Sequence, residues 1–300
     1  MAGVESAKTS RPVIFGEVLF DCFSDGSEVL GGAPFNVAWH LQAFGLAPLL
    51  VSRVGQDAYG ARVRQAMADW GMDLSGLQED QQTPTGRVDI RLDRGEPDFS
   101  ILDHQAYDMI APPEQLPVRV AFIYHGSLAL RGSMNRATLR QMKNECGAPV
   151  FVDVNLRPPW WEAEVVNELL SGSTWVKLNE DELTALVPDP NELELQAAAL
   201  LASWPLELLC VTRGRHGALL FQRDNSSFST TPVEDVVVVD TVGAGDAFSA
   251  ILLLGLYWRW PMALTLQRAQ DFALAVVGRR GATTTDFQLY EPFLRDWHKQ

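Results

Sequence analysis

Residues 236–257 read VVVVDTVGAGDAFSAILLLGLY, and this stretch decides the fold class. The four valines, 236–239, read as a short buried strand. Asp240-Thr241-Val242-Gly243-Ala244-Gly245-Asp246 follows, and from Ala247 the chain is apolar over a length that suits a core helix. Strand, glycine turn and helix start, in that order, crowd backbone N–H groups at the positive end of a helix, where an anion can be held. Asp246 puts a carboxylate at the same spot. On these residues alone two readings of it stay open. It favours the helix N-terminus electrostatically, as an Asp in a first turn commonly does. Or it is a general base that takes a proton from a hydroxyl while the amides absorb charge on a migrating phosphoryl group.

Working outward, short apolar runs recur at 13–20, 48–54, 118–124, 149–154, 175–178 and 206–212. Between them, helical periodicity predicts helices over 34–44, 59–70, 134–144, 162–170 and 193–204, with a final helix over 269–278. This alternation gives an α/β fold with a mostly parallel central sheet flanked by helices. One segment departs from it: residues 87–93 alternate polar and apolar, Arg94-Gly95-Glu96-Pro97 turns, and 98–102 returns. That is a solvent-facing hairpin, either an edge extension or a flap over a site, whose apolar stripe also suits a second subunit. With no repeat, charge block or long Pro/Ser linker, 1–300 reads as one domain.

Of the 300 residues, 24 are Lys or Arg and 38 are Asp or Glu, a net charge of −14, so nucleic acid is excluded as a general partner. The first 13 residues contain no apolar signal region, and the most apolar run, 247–257, is too short to cross a bilayer; a cytoplasmic chain with no membrane partner is expected. Cys22, Cys146 and Cys210 share no CxxC spacing and read as buried thiols. The five histidines show no HExxH or i, i+4 pairing, so zinc is not indicated.

No G-x-x-x-x-G-K-[ST] occurs, and in Gly243-Ala244-Gly245-Asp246-Ala247-Phe248 a Phe stands where a dinucleotide fingerprint needs Gly or Ala. Asp240-Thr241-x-Gly243-Ala244-Gly245-Asp246 instead resembles the C-terminal signature of the ribokinase-like (PfkB) carbohydrate kinases. Six fixed residues would match by chance in roughly one chain in 10⁵. Other marks of the family follow in order. Gly31-Gly32-Ala33-Pro34-Phe35-Asn36 resembles its G-G-x-x-x-N signature and residues 16–21 its first strand with a substrate aspartate. Asp153-Val154-Asn155-Leu156-Arg157 resembles the D-x-N-x-R of the fructokinase branch. Asn179-Glu180-Asp181-Glu182 matches N-x-x-E, and Thr212-Arg213-Gly214 with Gly217 resembles the T-x-G nucleotide loop, so the likeness spans about residues 13–285.

The resemblance implies a three-layer ribokinase-like fold with a small β lid built from about 15–33 and 85–110. It implies that Asp246 is the base and that Gly243, Ala244 and Gly245 stabilise the transferring phosphoryl group. Asp21, Gly31, Gly32, Asn36, Asn155 and Arg157 become the substrate residues, and Lys177, Asn179, Thr212, Gly214, Gly217 and Gln270 the nucleotide residues. Gln270 stands where many relatives have asparagine. Asn179 and Glu182 would place Mg²⁺ through water, although the same pair also reads as an N-cap and capping box. Asp240 with the backbone of Val242 would hold a monovalent cation such as K⁺. The expected reaction is ATP- and Mg²⁺-dependent phosphorylation of a sugar, fructose first, with a homodimer through the lid as a further expectation. A 2-keto-3-deoxygluconate kinase, in which Arg157 with Arg87 or Arg91 grips a carboxylate, and a nucleoside kinase are the alternatives within the class. A non-catalytic sugar or nucleotide sensor is the alternative outside it.

Overall fold

Along the first strand, β1 (Arg11–Phe15), Val13 and Phe15 are buried in one cluster of apolar side chains and Ile14 in another. A strand buried on both faces belongs in the middle of a layered α/β structure. The computed structural model, which describes residues 10–93, 96–188, 192–232 and 237–297, has that form.

A nine-stranded sheet runs β13-β12-β11-β10-β9-β8-β1-β4-β5. Its members after β1 are β4 (Leu49–Gly55), β5 (Leu77–Asp80), β8 (Val120–His125), β9 (Val150–Asp153), β10 (Trp175–Asn179), β11 (Leu208–Thr212), β12 (Ala218–Gln222) and β13 (Ser227–Thr230). All neighbours from β11 to β5 pair in parallel, and β12 and β13 close one edge as an antiparallel hairpin. On one face pack α1 (Ala33–Ala43), α2 (Ala58–Asp69), α7 (Ala244–Trp258) and α8 (Met262–Val277). On the other pack α3 (Ser133–Cys146), α4 (Ala163–Ser171), α5 (Glu180–Leu186) and α6 (Leu193–Ser203). Helix α7 is buried at every position from Ala247 to Gly255, because α1, α8 and the sheet surround it.

A second sheet of four strands has the order β3-β2-β6-β7, from β2 (Leu19–Phe23), β3 (Glu28–Gly31), β6 (Gly86–Asp93) and β7 (Glu96–Ile101). Leu19, Val88 and Ile90 bury a small cluster there with Tyr107, Leu128 and Ala129. Arg94 and Gly95, the tip of the hairpin read from the sequence, lie outside the described residues.

Four expectations change. The run 13–20 is two strands in different sheets, since Gly16 (φ +146°) breaks it; a Cβ there would lie 2.5 Å from Pro34 Cγ. The valine run 236–239 is not a strand where it is described: Val237, Val238 and Val239 are exposed, and Val239 N–H and Asp240 N–H donate to Val277 O. Beyond β11 the sheet is completed by β12 and β13 instead, and Val236 lies outside the described residues. The helix read over 269–278 is the second half of α8, and a short α9 (Glu291–Trp297) follows it. Of the cysteines only Cys210 is buried, Cys22 and Cys146 being half-buried. His40 and His125 are buried, His104 and His216 exposed, and His298 lies outside the described residues.

Candidate active site

Parallel strands end at one edge of their sheet, and there the motif residues collect. Asp153 closes β9, Asn179 closes β10 and Thr212 closes β11. The N-terminus of α7 lies beside these ends: a Cβ on Gly245 would be 3.2 Å from Lys177 Nζ on β10. Gly243 precedes the helix at φ +79°, and a Cβ there would lie 2.5 Å from Ala282 Cα, so only glycine fits the turn. Ala247 N–H closes the first helical turn on Gly243 O, leaving first-turn amides with no intrahelical partner. Ala244 N–H makes a long bond of 3.3 Å to Thr241 O.

On one side of this turn lies a polar group of carboxylates and an amide. Asn36 Nδ2, from the first turn of α1, donates to Asp246 Oδ2 at 2.7 Å. Asn36 Oδ1 is buried without a hydrogen-bond partner. A Cβ on Gly31 would lie 3.5 Å from Asp21 Oδ2 and 3.9 Å from Asn36 Oδ1, so backbone, carboxylate and amide meet at one place. Gly32 caps α1 at φ +106°, where a Cβ would be 2.7 Å from Glu17 O. Burial pushes the Asp246 carboxyl up to about 6, with Asp153 adding to the rise and Asn36, Lys177 and Arg157 opposing it. Burial likewise raises Asp21 to about 6 and Glu17 to about 7, each against the pull of Arg157. Arg157 is exposed, beyond the end of β9, and bonds its neighbour's carbonyl, Leu156 O, at 3.1 Å. Asn155 holds the same loop at φ +43°, its carbonyl accepting from Ser127 Oγ.

On the other side of the turn is a cavity of about 650 Å³ lined by Thr212, Gly214, Gly217, Ala244, Gly245 and Gln270. Its apolar wall comes from Val238, Phe248 and Leu274, so Val238 faces this cavity rather than a sheet. Arg215 supplies a positive charge at its rim. Gln270 is buried on α8.

Asn179 and Glu182 form the capping box at the start of α5. Glu182 N–H donates to Asn179 Oδ1 at 2.8 Å and Asn179 N–H to Glu182 Oε2 at 2.9 Å. Glu182 Oε1 accepts from Leu156 N–H at 2.7 Å, tying β10 to the loop that carries Arg157. These oxygens are committed to amides, and no group of three or more His, Cys, Asp or Glu among the described residues suits a metal. Asp240 accepts from Val242 N–H and Gly281 N–H, both at 3.0 Å, pinning the loop before α7 to the segment after α8.

A model of the pfkB family of carbohydrate kinases matches residues 18–288. The chain belongs to this family. Among curated relatives of this kinase, fructokinase of Klebsiella pneumoniae is 32% identical over 287 residues, covering 90% of this chain and 92% of the relative. Fructokinase-1 of rice, Oryza sativa subsp. japonica, is 31% identical, covering 93% of each chain. Of solved structures, fructokinase of Vibrio cholerae O395, with fructose, ADP and calcium bound, superposes with a TM-score of 0.81 at 25% identity, over 95% of this chain and 99% of that one. The kinase is thus a sugar phosphotransferase with the ribokinase-like arrangement.

Glu17, Asp153 and Ser249 lie in or beside this site and were not among the expected site residues. The signal for Glu17 is a lone acidic side chain inside the apolar run 13–20. For Asp153 it was the motif itself, D-x-N-x-R, whose first member was left without a role. Ser249 gave no signal, because a serine inside an apolar helix is ordinary in sequence.

Proposed function

We propose that the protein is a fructokinase, moving the γ-phosphoryl group of ATP to the primary hydroxyl that yields fructose 6-phosphate. The observation that carries this is the Asn36–Asp246 bond at the N-terminus of α7, placed between the Asp21–Gly31–Asn36 group and the 650 Å³ cavity. A sugar on the first side and a nucleotide in the second bring a hydroxyl and a phosphate to the same helix end. Asp246 takes the hydroxyl proton, and the amides of Gly243, Ala244 and Gly245 take up charge on the phosphoryl oxygens. Asp21 and Asn36 bind ring hydroxyls, for which a carboxylate and an amide together offer acceptors and donors. Mg²⁺ bound with ATP would offset phosphate charge, with Asn179 and Glu182 reaching it through water. The four-stranded sheet acts as a lid that excludes water, so that no water molecule replaces the sugar hydroxyl.

The charge pattern favours a neutral sugar over an acid one. A substrate carboxylate would meet Asp21, Glu17 and Asp246 with Arg157 as the sole cation acting on all three. Arg87, for its part, already faces a carboxylate, Asp89, at 2.9 Å. Fructose as the substrate also agrees with the fructokinase relatives.

The test is ADP release with ATP and Mg²⁺ over fructose, glucose, ribose, 2-keto-3-deoxygluconate and adenosine, with Asp246→Asn as control. Turnover on fructose that disappears in the control is expected. Turnover confined to the keto acid would overturn the choice of sugar, and sugar binding without turnover would favour a sensor.

A further inference from the structure

Beneath the anion-holding turn lies a buried polar network that the reaction above does not use. Lys177 Nζ donates to Asp153 Oδ1 at 3.1 Å and to Oδ2 at 2.9 Å, with the Lys and Asp side chains only 8% and 2% exposed. Ser249 Oγ donates to Asp153 Oδ2 at 2.7 Å, and Tyr124 OH reaches the same oxygen at 3.5 Å. Ser249 follows Asp246 by three residues on α7, so one helix face carries both the base and the anchor of this network. A buried ion pair of this kind is weak evidence for stability, because desolvation offsets much of its attraction. Its placement points to another role: the ammonium group ends against Gly245, at the turn itself.

We infer that Asp153, held by Ser249, is a positioning residue that fixes the Lys177 ammonium under the Gly243–Gly245 turn, so that its charge meets the phosphoryl group in transit. Lys177 has a flexible four-carbon stem and three donors, and unaided it samples many directions. Two carboxylate oxygens, one of them (Oδ2) tethered from α7 by Ser249 and from β8 by Tyr124, remove that freedom before substrate arrives. Because the tether starts on α7, any shift of the turn carries the lysine with it.

This inference rests on the phosphoryl-transfer reading, and its test separates the two. Asp153→Asn keeps the shape but removes the charge that holds the lysine. The expected result is a fall in kcat of about 10²-fold, the scale of losing one preorganised donor aimed at developing charge. Ser249→Ala, a small change that threatens folding least, is expected to cost about fivefold. In a Lys177→Met background Asp153→Asn should cost nothing further, the signature of a residue acting through another.

A second readout is the pH profile. Asp246 is faced by Asp153 on β9, Lys177 on β10, Arg157 in the following loop, Asn36 on α1, and Glu17 and Asp21 from the first strands. Removing the Asp153 charge should move the acid limb of kcat/KM to lower pH, because that charge raises the Asp246 carboxyl, while the non-additivity with Lys177→Met reports the positioning. Thermal unfolding checks that each variant is folded. Turnover within twofold of the parent in both Asp153→Asn and Ser249→Ala, or equal further loss in the Lys177→Met background, would overturn the inference. Should the parent itself turn over no sugar, the kinase reading fails first, and calorimetric ATP affinity decides this one. Asp153→Asn and Lys177→Met should then weaken ATP binding by the same factor and non-additively, and independent losses would sink it.

Discussion

Asn36 and Asp246 are 210 residues apart in the chain, yet Asn36 Nδ2 lies 2.7 Å from Asp246 Oδ2. Their bond joins the start of α1 to the start of α7, two helices packed on the same face of the sheet. It orients the Asp246 carboxylate and opposes the burial that raises its pKa. Asn36→Ala should therefore shift the acid limb of kcat/KM above the value of about 6 set by Asp246, besides lowering the rate. An unmoved limb in a folded variant would show that the bond does not tune the base.

Removing the base has a larger effect. Asp246→Asn is isosteric and should leave the fold intact while lowering kcat by about 10² to 10⁴-fold, the usual contribution of a general base. Steady-state ADP release, with far-ultraviolet circular dichroism as the check on folding, measures it; unchanged turnover would end the mechanism.

The same carboxyl makes stability depend on pH. Its folded value, about 6, lies above the ordinary 3.8, so the native state holds the proton more tightly than the unfolded chain does. Its favourable linkage is complete below the unfolded value and is lost as pH rises through about 6. At pH 8 the buried charge costs stability, and Asp246→Asn should stabilise the protein by about 1–2 kcal/mol. The gain should fade toward pH 4, which denaturant unfolding at the two pH values would show.

Gly243→Ala should be severe. The residue sits at φ +79°, and its new Cβ would press on Ala282 Cα at 2.5 Å. Strain of this kind costs about 1–3 kcal/mol, and the displaced turn should lower kcat further. A variant with both Tm and kcat near the parent's would contradict the geometry.

Arg157→Lys separates the sugar classes. With a neutral sugar, KM should rise by a small factor, whereas a substrate carboxylate would lose a bidentate partner and bind far more weakly. Initial rates on fructose and on 2-keto-3-deoxygluconate measure the difference.

Much of this was legible in the chain itself. The sheet strands around β1 are buried on both faces, and their apolar runs at 48–54, 118–124 and 149–154 appear as such because burial leaves no choice of polar residue. The glycine turn was legible for the opposite reason: positive φ and close backbone approach admit almost nothing but glycine. The valines at 236–239 misled, because hydrophobicity records removal from water without saying what removes it. Here Val238 lines a cavity of about 650 Å³ instead of a sheet. The strand β5 and the hairpin β12–β13 were missed because short edge elements are fixed by their neighbours rather than by their own pattern.

The sequence by itself determined the layered α/β architecture, the position of the glycine turn before α7 and the identity of its carboxylate, since each depends on local propensity or backbone geometry. Only the tertiary structure decided which distant groups meet there. The raised carboxyls of Glu17, Asp21 and Asp246, and the Ser249–Asp153–Lys177 network, depend on burial and on distances between strands far apart in the chain. Electrostatic interactions act through space in a low-dielectric interior, and no spacing along a chain encodes them.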